Sequence, residues 1–79
     1  MKVNMVMPDL STTGSTVRVA FWLVDVGAEV ERGQPVVEVE TDKSVLEVEA
    51  AVTGVLVDIL TPEDTEVDVG STIAIFDVP

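Results

Sequence analysis

The segment V-E-V-E-T-D-K-S-V-L-E-V-E-A, residues 37–50, alternates aliphatic and acidic residues on both sides of a four-residue polar break. Alternation with a period of two is typical of strands that bury one face, and the polar break is typical of a turn. We therefore predict a hairpin that turns over residues 41–44, with Val39 opposite Leu46 on the inner face. In the same register Glu38 lies opposite Glu47 on the outer face.

The rest of the chain repeats this pattern of short aliphatic runs between turn signals. Valine, isoleucine and threonine account for 18, 3 and 8 of the 79 residues, and side chains branched at Cβ favour strands over helices. No sustained apolar stripe with helical spacing is present. The predicted strands cover residues 2–7, 16–26, 34–40, 44–50, 54–60 and 71–78. The sequence therefore predicts one all-β domain over residues 1–79, a sandwich or barrel of short strands.

An internal repeat relates the two halves of the chain. Residues 28–39 align with residues 65–76 at an offset of 37, which places Gly33 on Gly70 and Val30 on Val67. Neither half is large enough to bury its own apolar face, so we predict two similar halves packed about a pseudo-twofold axis. The same symmetry predicts that the chain termini meet at the place equivalent to the 41–44 turn.

The net charge of −11, with only four basic residues, argues against a nucleic-acid or anionic-membrane partner. Cysteine and histidine are both absent, which argues against a zinc site, and no metal or catalytic residue is predicted. No long apolar segment resembles a secretory signal. We expect a cytoplasmic protein if the source is bacterial and a mitochondrial matrix protein if it is eukaryotic.

Lys43 is the residue of the hairpin that turn chemistry does not explain. Aspartate suits a turn because it hydrogen-bonds nearby amides, and Lys43 beside it reads either as an ordinary solvated residue or as an attachment point. An ordinary lysine amine is protonated at neutral pH and is therefore a poor nucleophile. An attachment role thus fits better than a catalytic one. The spacing alone does not decide between an attachment point and an ordinary solvated residue.

Four segments in the right order resemble the lipoyl domains of the acyltransferase (E2) component of 2-oxo acid dehydrogenase complexes. E-T-D-K-S-V-L-E-V-E-A at 40–50 is similar to the lipoyl-attachment segment, and M-P-D-L-S at 7–11 to the start of the domain. W-L-V-D-V-G-A-E-V-E-R-G at 22–33 and A-V-T-G-V-L-V-D-I-L at 51–60 match the remaining pattern. The resemblance covers almost the whole chain.

The resemblance implies a fold, a cofactor and a set of partners. The fold is a flattened β-barrel or sandwich of two four-stranded antiparallel sheets, with the lysine at a hairpin tip. Lipoate is expected on Lys43, attached by a lipoate ligase or lipoyltransferase. The arm would then serve the thiamine-diphosphate-dependent decarboxylase (E1), the acyltransferase core of E2 and the dihydrolipoyl dehydrogenase (E3). The isolated domain is expected to be a non-catalytic monomer, cut from a longer E2 chain.

The residues around the lysine carry further expectations. Partner enzymes are expected to recognise Glu40, Thr41, Asp42 and Ser44, and Asp42 is also expected to shape the turn. Turn roles are expected for Gly27, Gly33, Gly54 and Gly70, and Trp22 is expected to pack on the sheet. Two positions depart from the family pattern, since Val17 and Asp64 stand where glycine is usual. Aspartate tolerates turn geometry, whereas Val17 predicts a different entry to its strand.

Three alternatives stay open on these residues. A biotin carrier domain shares the fold, but its lysine normally lies in Met-Lys-Met, whereas Asp42 and Ser44 flank Lys43 here. The lipoate-bearing carrier of the glycine-cleavage system is larger than this chain. An unmodified lipoyl-like interaction module is the third alternative. The sequence does not identify the 2-oxo acid, or acetoin, that a parent complex would use.

Overall fold

A computed structural model of the chain describes residues 1–10 and 16–79, and within those residues it contains eight β-strands. The strands are β1 Lys2–Val6, β2 Thr16–Trp22, β3 Glu29–Val30, β4 Pro35–Glu40, β5 Val45–Glu49, β6 Gly54–Ile59, β7 Thr65–Asp68 and β8 Thr72–Asp77. No helix long and apolar enough to cross a bilayer occurs in the described part of the chain.

The strands form two antiparallel sheets, each four-stranded over the described residues, with orders β1-β8-β6-β3 and β5-β4-β2-β7. Alternate residues of each sheet point inward and form one apolar core. Its largest fully buried side chains are Phe76, Met7, Leu56 and Ile73. The two sheets form a flattened sandwich rather than a closed barrel, which confirms the predicted fold class.

The predicted pseudo-twofold symmetry is present in both strand positions and strand pairing. The offset of 37 carries β4, residues 35–40, onto β8, residues 72–77, and it also superimposes the two β-bulges. One bulge lies between Val19 and Phe21, and its equivalent lies between Leu56 and Asp58. Since bulges fix where a strand bends, the halves are alike in detail.

The chain ends meet beside each other, as the repeat predicted. Lys2 pairs with Asp77 between β1 and β8, and the Met1 amino group lies 2.7 Å from the Val78 carbonyl oxygen. The hydrogen bond from this amino group to Asp77, together with the charge of Lys2, lowers the pKa of the Asp77 carboxyl. This corner is the symmetry equivalent of the 41–44 turn.

Some predicted boundaries were wrong. The run at 16–26 forms a strand only to Trp22, since the chain then leaves the sheet after Leu23 donates a backbone hydrogen bond to Val36. The short strands β3 and β7 were absent from the runs predicted by alternation. A strand of two to four residues contains too few alternations to be recognised that way.

Gly54 does not serve the turn role expected of it. Gly27, Gly33 and Gly70 have φ of 98°, 90° and 92°, a conformation that favours glycine, whereas Gly54 begins β6 without a positive φ. A Cβ atom on Gly54 would lie 2.3 Å from the Asp77 carbonyl oxygen, so space rather than conformation requires glycine there.

Val17, the symmetry equivalent of Gly54, therefore needs no unusual backbone. It lies within β2, opposite Val67, and its side chain is buried in the core. Asp64, the other departure from the family pattern, has φ of 69° and adopts the turn geometry expected of it.

Candidate modification site

The turn at residues 41–44 continues the pairing of β4 with β5. Val39 pairs with Leu46 and Glu38 with Glu47, in the predicted register. Beyond the last pair the Thr41 amide donates to the Ser44 carbonyl at 2.8 Å, which closes the turn. Val39 is fully buried, so the hairpin is held on the core by its inner face.

The Thr41 hydroxyl organises the backbone of the turn. Its oxygen accepts hydrogen bonds from the Lys43 and Ser44 amides at 3.2 and 3.1 Å. The hydroxyl also lies 3.1 Å from the Ser44 carbonyl oxygen, to which it donates. The Thr41 side chain thus shapes the turn, a role that the sequence did not assign to it. The backbone on both sides of the Lys43 side chain is fixed as a result.

Lys43 lies at the exposed tip, flanked by the exposed residues Asp42 and Ser44. The ion pairs found in residues 1–10 and 16–79 belong to the amino terminus, Lys2 and Arg18, and none includes Lys43. Its amine is therefore presented to solvent on a side chain whose base is held by the turn. Such an arrangement suits covalent attachment by an approaching enzyme.

Arg18 anchors the base of this hairpin, a role that the sequence did not predict. Its guanidinium donates a hydrogen bond to one oxygen of the Glu40 carboxylate at 3.3 Å, forms an ion pair with the other oxygen at 3.1 Å, and also contacts Asp64. These contacts raise the pKa of Arg18, chiefly through the hydrogen bond and charge of Glu40. Glu40, expected to be a recognition residue, thus ties the end of β4 to the loop before β7.

The acidic side chains of residues 1–10 and 16–79 do not gather into a metal site. In the part of the chain that the structure describes, no three such side chains converge as a ligand set. The carboxylates instead spread along the outer faces of strands, which suits contact with a broad charged surface better than coordination of one ion.

A family model matches this chain along nearly its whole length. The family model for biotin and lipoyl domains, described as "Biotin-requiring enzyme", matches residues 3–76. The chain belongs to the biotin/lipoyl family. Within that family, the chain is similar to lipoyl domains, as the sequence resemblance predicted.

Three bacterial relatives illustrate the similarity. They are the dihydrolipoyllysine-residue acetyltransferase components of the pyruvate dehydrogenase complexes of Rhizobium meliloti, Zymomonas mobilis and Corynebacterium glutamicum. The Rhizobium protein is 42% identical over 76 residues, and the Zymomonas and Corynebacterium proteins are each 40% identical. The alignments cover 95% of this chain but only 17%, 17% and 11% of those proteins. This chain thus matches one small part of each relative.

A solved structure shows the same fold. The lipoyl domain of the 2-oxoglutarate dehydrogenase complex from Azotobacter vinelandii superimposes with a TM-score of 0.76 at 28% identity, and covers 98% of this chain and 99% of that domain. The predicted resemblance to lipoyl domains of E2 chains is confirmed.

Replacing Thr41 with valine is expected to loosen the turn of this lipoyl domain without unfolding it. The change removes the acceptor for two amides while keeping the side-chain shape, at a cost of about 1 kcal/mol at a half-exposed site. Hydrogen exchange measured by NMR should show faster exchange of the Lys43 and Ser44 amides. Thr41→Ser keeps the hydroxyl and should exchange like the wild type. Equal exchange in both variants would contradict a role for the hydroxyl.

Proposed function

We propose that this domain carries lipoate in amide linkage on Lys43 and acts as a swinging arm of a 2-oxo acid, or acetoin, dehydrogenase complex. The observation that carries the proposal is the placement of Lys43 within the segment E-T-D-K-S. Its amine is exposed to solvent at the hairpin tip, where the Thr41 hydroxyl accepts a hydrogen bond from the Lys43 amide. Membership of the family and similarity to E2 acetyltransferase chains support it.

The hairpin tip exposes the Lys43 amine to solvent, and the attached group would supply the chemistry. Lys43 would hold the lipoyl group, whose dithiolane would supply acyl-carrying and two-electron redox chemistry. The hairpin projects the amide nitrogen away from the sandwich, so the arm is not obstructed by its own domain. Amide formation also removes the positive charge of the lysine.

The partners follow from this role. A lipoate ligase or lipoyltransferase would attach lipoate to Lys43, and the loaded domain would serve E1, the E2 core and E3. A domain on a flexible tether raises its effective concentration at each active site, to about the mM range for a short link. The carrier acts in the cytoplasm of a bacterium, or in the mitochondrial matrix of a eukaryote.

Mass spectrometry after enzymatic lipoylation tests the attachment site. The domain is incubated with lipoate ligase, lipoate and ATP, and the intact mass should increase by one lipoyl group. Trypsin cleaves after Arg32 and Lys43 in the unmodified chain, but an acylated lysine is not cleaved. The modified chain should therefore yield a peptide of residues 33–79, whereas the unmodified chain yields residues 33–43 and 44–79.

Two variants make the assignment specific. Lys43→Arg should abolish the mass increase, and Lys2→Arg, which removes the only other lysine, should leave it unchanged. A lipoyl group on the Lys43→Arg variant, or none on the wild type, would refute the proposal.

Biotin carriage is the second candidate, because the family description covers biotin-requiring enzymes. A parallel incubation with biotin ligase, biotin and ATP should leave the mass unchanged, since Asp42 and Ser44 replace the flanking methionines typical of biotin carriers. Biotin on Lys43 with no lipoylation would establish this second function instead.

A further inference from the structure

The outer face of the sheet β5-β4-β2-β7, which carries the hairpin, holds most of the strand acids. We call it the acidic face. Its carboxylates alternate along the strands with buried apolar residues and therefore point outward. The carboxylates of this face are Glu38, Glu40, Glu47, Glu49, Glu66 and Asp68.

The pseudo-twofold symmetry shows that the fold does not require these acids. The pair Glu38–Glu47 on the acidic face is equivalent to the pair Ile75–Asn4 on the other sheet, which occupies the same place between β8 and β1. An uncharged pair therefore serves the same structural position elsewhere in the molecule. Like charges directly opposite each other destabilise a sheet, so stability does not account for the Glu38–Glu47 pair.

Arg18 does not neutralise the centre of the face. In the described residues its ion pairs are with Glu40 and Asp64, at the hairpin base. Glu38 and Glu47 lie one row further along the strands, beyond the contacts that Arg18 makes. The uncompensated negative charge of the face therefore lies in the row of Glu38 and Glu47, one row beyond the Arg18–Glu40 ion pair.

An exposed aromatic residue lies in the same row of the sheet. Phe21 pairs with Glu38 across β2 and β4, and 51% of its surface is exposed. Its symmetry equivalent on the other sheet is Asp58, a charged residue of the kind expected at such a site. Aromatic residues are enriched at protein–protein interfaces, which makes Phe21 a candidate anchor on this face.

We propose that the acidic face docks the enzyme that acylates the arm, through a Lys- and Arg-bearing surface with an apolar depression for Phe21. The inference rests on the proposed function. The acetyltransferase relatives extend far beyond this domain, so an acyltransferase core on the same chain is delivered by its tether. A decarboxylating enzyme on a separate chain has no such covalent tether, and complementary charge would raise its rate of association with the domain.

Matched double variants test the charge on this face. Glu38→Gln/Glu47→Gln neutralises two acids there, and Glu29→Gln/Asp58→Asn neutralises two exposed acids on the other sheet, with the same change in net charge. Each domain is lipoylated and its mass verified. Reductive acylation is then measured with the decarboxylating components of bacterial pyruvate and 2-oxoglutarate dehydrogenase complexes, each with its own 2-oxo acid.

With whichever component acylates the wild type, Glu38→Gln/Glu47→Gln should lower kcat/KM about tenfold at low salt, the lower end of electrostatic steering effects. The difference should disappear at about 0.5 M salt, where charges are screened over a few ångströms. The control pair should stay within about twofold of the wild type at both salt concentrations, because its acids lie outside the proposed interface.

Phe21→Ala tests the anchor separately. It should lower kcat/KM about fivefold or more at either salt concentration, because an aromatic anchor is lost rather than a charge. NMR spectra of the unmodified domain with the same component should show shifts at Phe21, Glu38 and Glu47 rather than at Asn4 and Ile75.

The outcomes separate this inference from the proposed function. A fully lipoylated wild type that neither component acylates would overturn the docking partner but not the attachment site. Equal kcat/KM losses in the two double variants, or shifts on the opposite sheet, would overturn the docking face. Failure of lipoylation itself would refute the function on which the inference rests.

Discussion

Replacing Gly54 with alanine is expected to lower the free energy of unfolding by about 3 kcal/mol or more, at the upper end of the cost of overpacking. The new Cβ would lie 2.3 Å from the Asp77 oxygen, 3.1 Å from its carbonyl carbon and 3.3 Å from the Val78 Cα. All three atoms belong to the backbone, so no side-chain rotation relieves the clash. The end of β8 must separate from β6, although Val55 pairs with Asp77 there.

Gly33→Ala provides the matched control for this change. A Cβ atom on Gly33 would meet nothing within 4 Å, and the cost arises only from its φ of 90°. That cost is about 1–2 kcal/mol. Urea unfolding at low temperature, followed by circular dichroism, compares both variants even if Gly54→Ala is largely unfolded when warm. A Gly54→Ala variant as stable as Gly33→Ala would contradict the close contact.

Truncation of Trp22 is expected to have the second large effect on stability. Its side chain is 9% exposed, as expected for a residue packed on the sheet, and its indole Nε1 donates to the Thr61 carbonyl at 2.8 Å. Trp22→Ala removes the packing and should cost about 3–5 kcal/mol. Since total stability for a domain of this size is about 4–12 kcal/mol, this variant is expected to lie close to unfolding.

Trp22→Phe separates the hydrogen bond from the packing. The ring remains, but the Thr61 carbonyl loses its donor at a buried position, which should cost about 1–3 kcal/mol. Thermal unfolding followed by circular dichroism measures both variants without depending on tryptophan fluorescence. If Trp22→Phe unfolds at the wild-type temperature, the hydrogen bond does not contribute to stability.

The hairpin was predictable from sequence because its pattern leaves one register. A shift by one residue would expose Val39 and bury Glu38, at a cost that no turn could offset. The repeat was predictable for a related reason, since the aligned glycines and apolar residues mark equivalent turns and core positions. Both predictions depend on patterns visible along the chain: alternation predicts the hairpin, and repetition predicts the two halves.

The short strands, and the contacts of Arg18 that anchor the base of the hairpin, were not predictable in the same way. The two strands β3 and β7 lie inside the aligned repeat, at A-E-V-E-R-G and T-E-V-D-V-G, and that alignment was the signal that indicates them. The contacts of Arg18 with Glu40 and Asp64 join positions 22 and 46 residues away. No local pattern marks such pairs.

The sequence by itself determined six of the eight strands of the described residues, the hairpin register, the pseudo-twofold relation and the position of Lys43 at a tip, because each follows from alternation or repetition along the chain. Only the tertiary structure decided that Gly54 is required by a neighbouring backbone and that Phe21 lies among acids. These properties depend on distances between strands remote in sequence. Such distances are set when the strands pack together, and no short stretch of the sequence contains them.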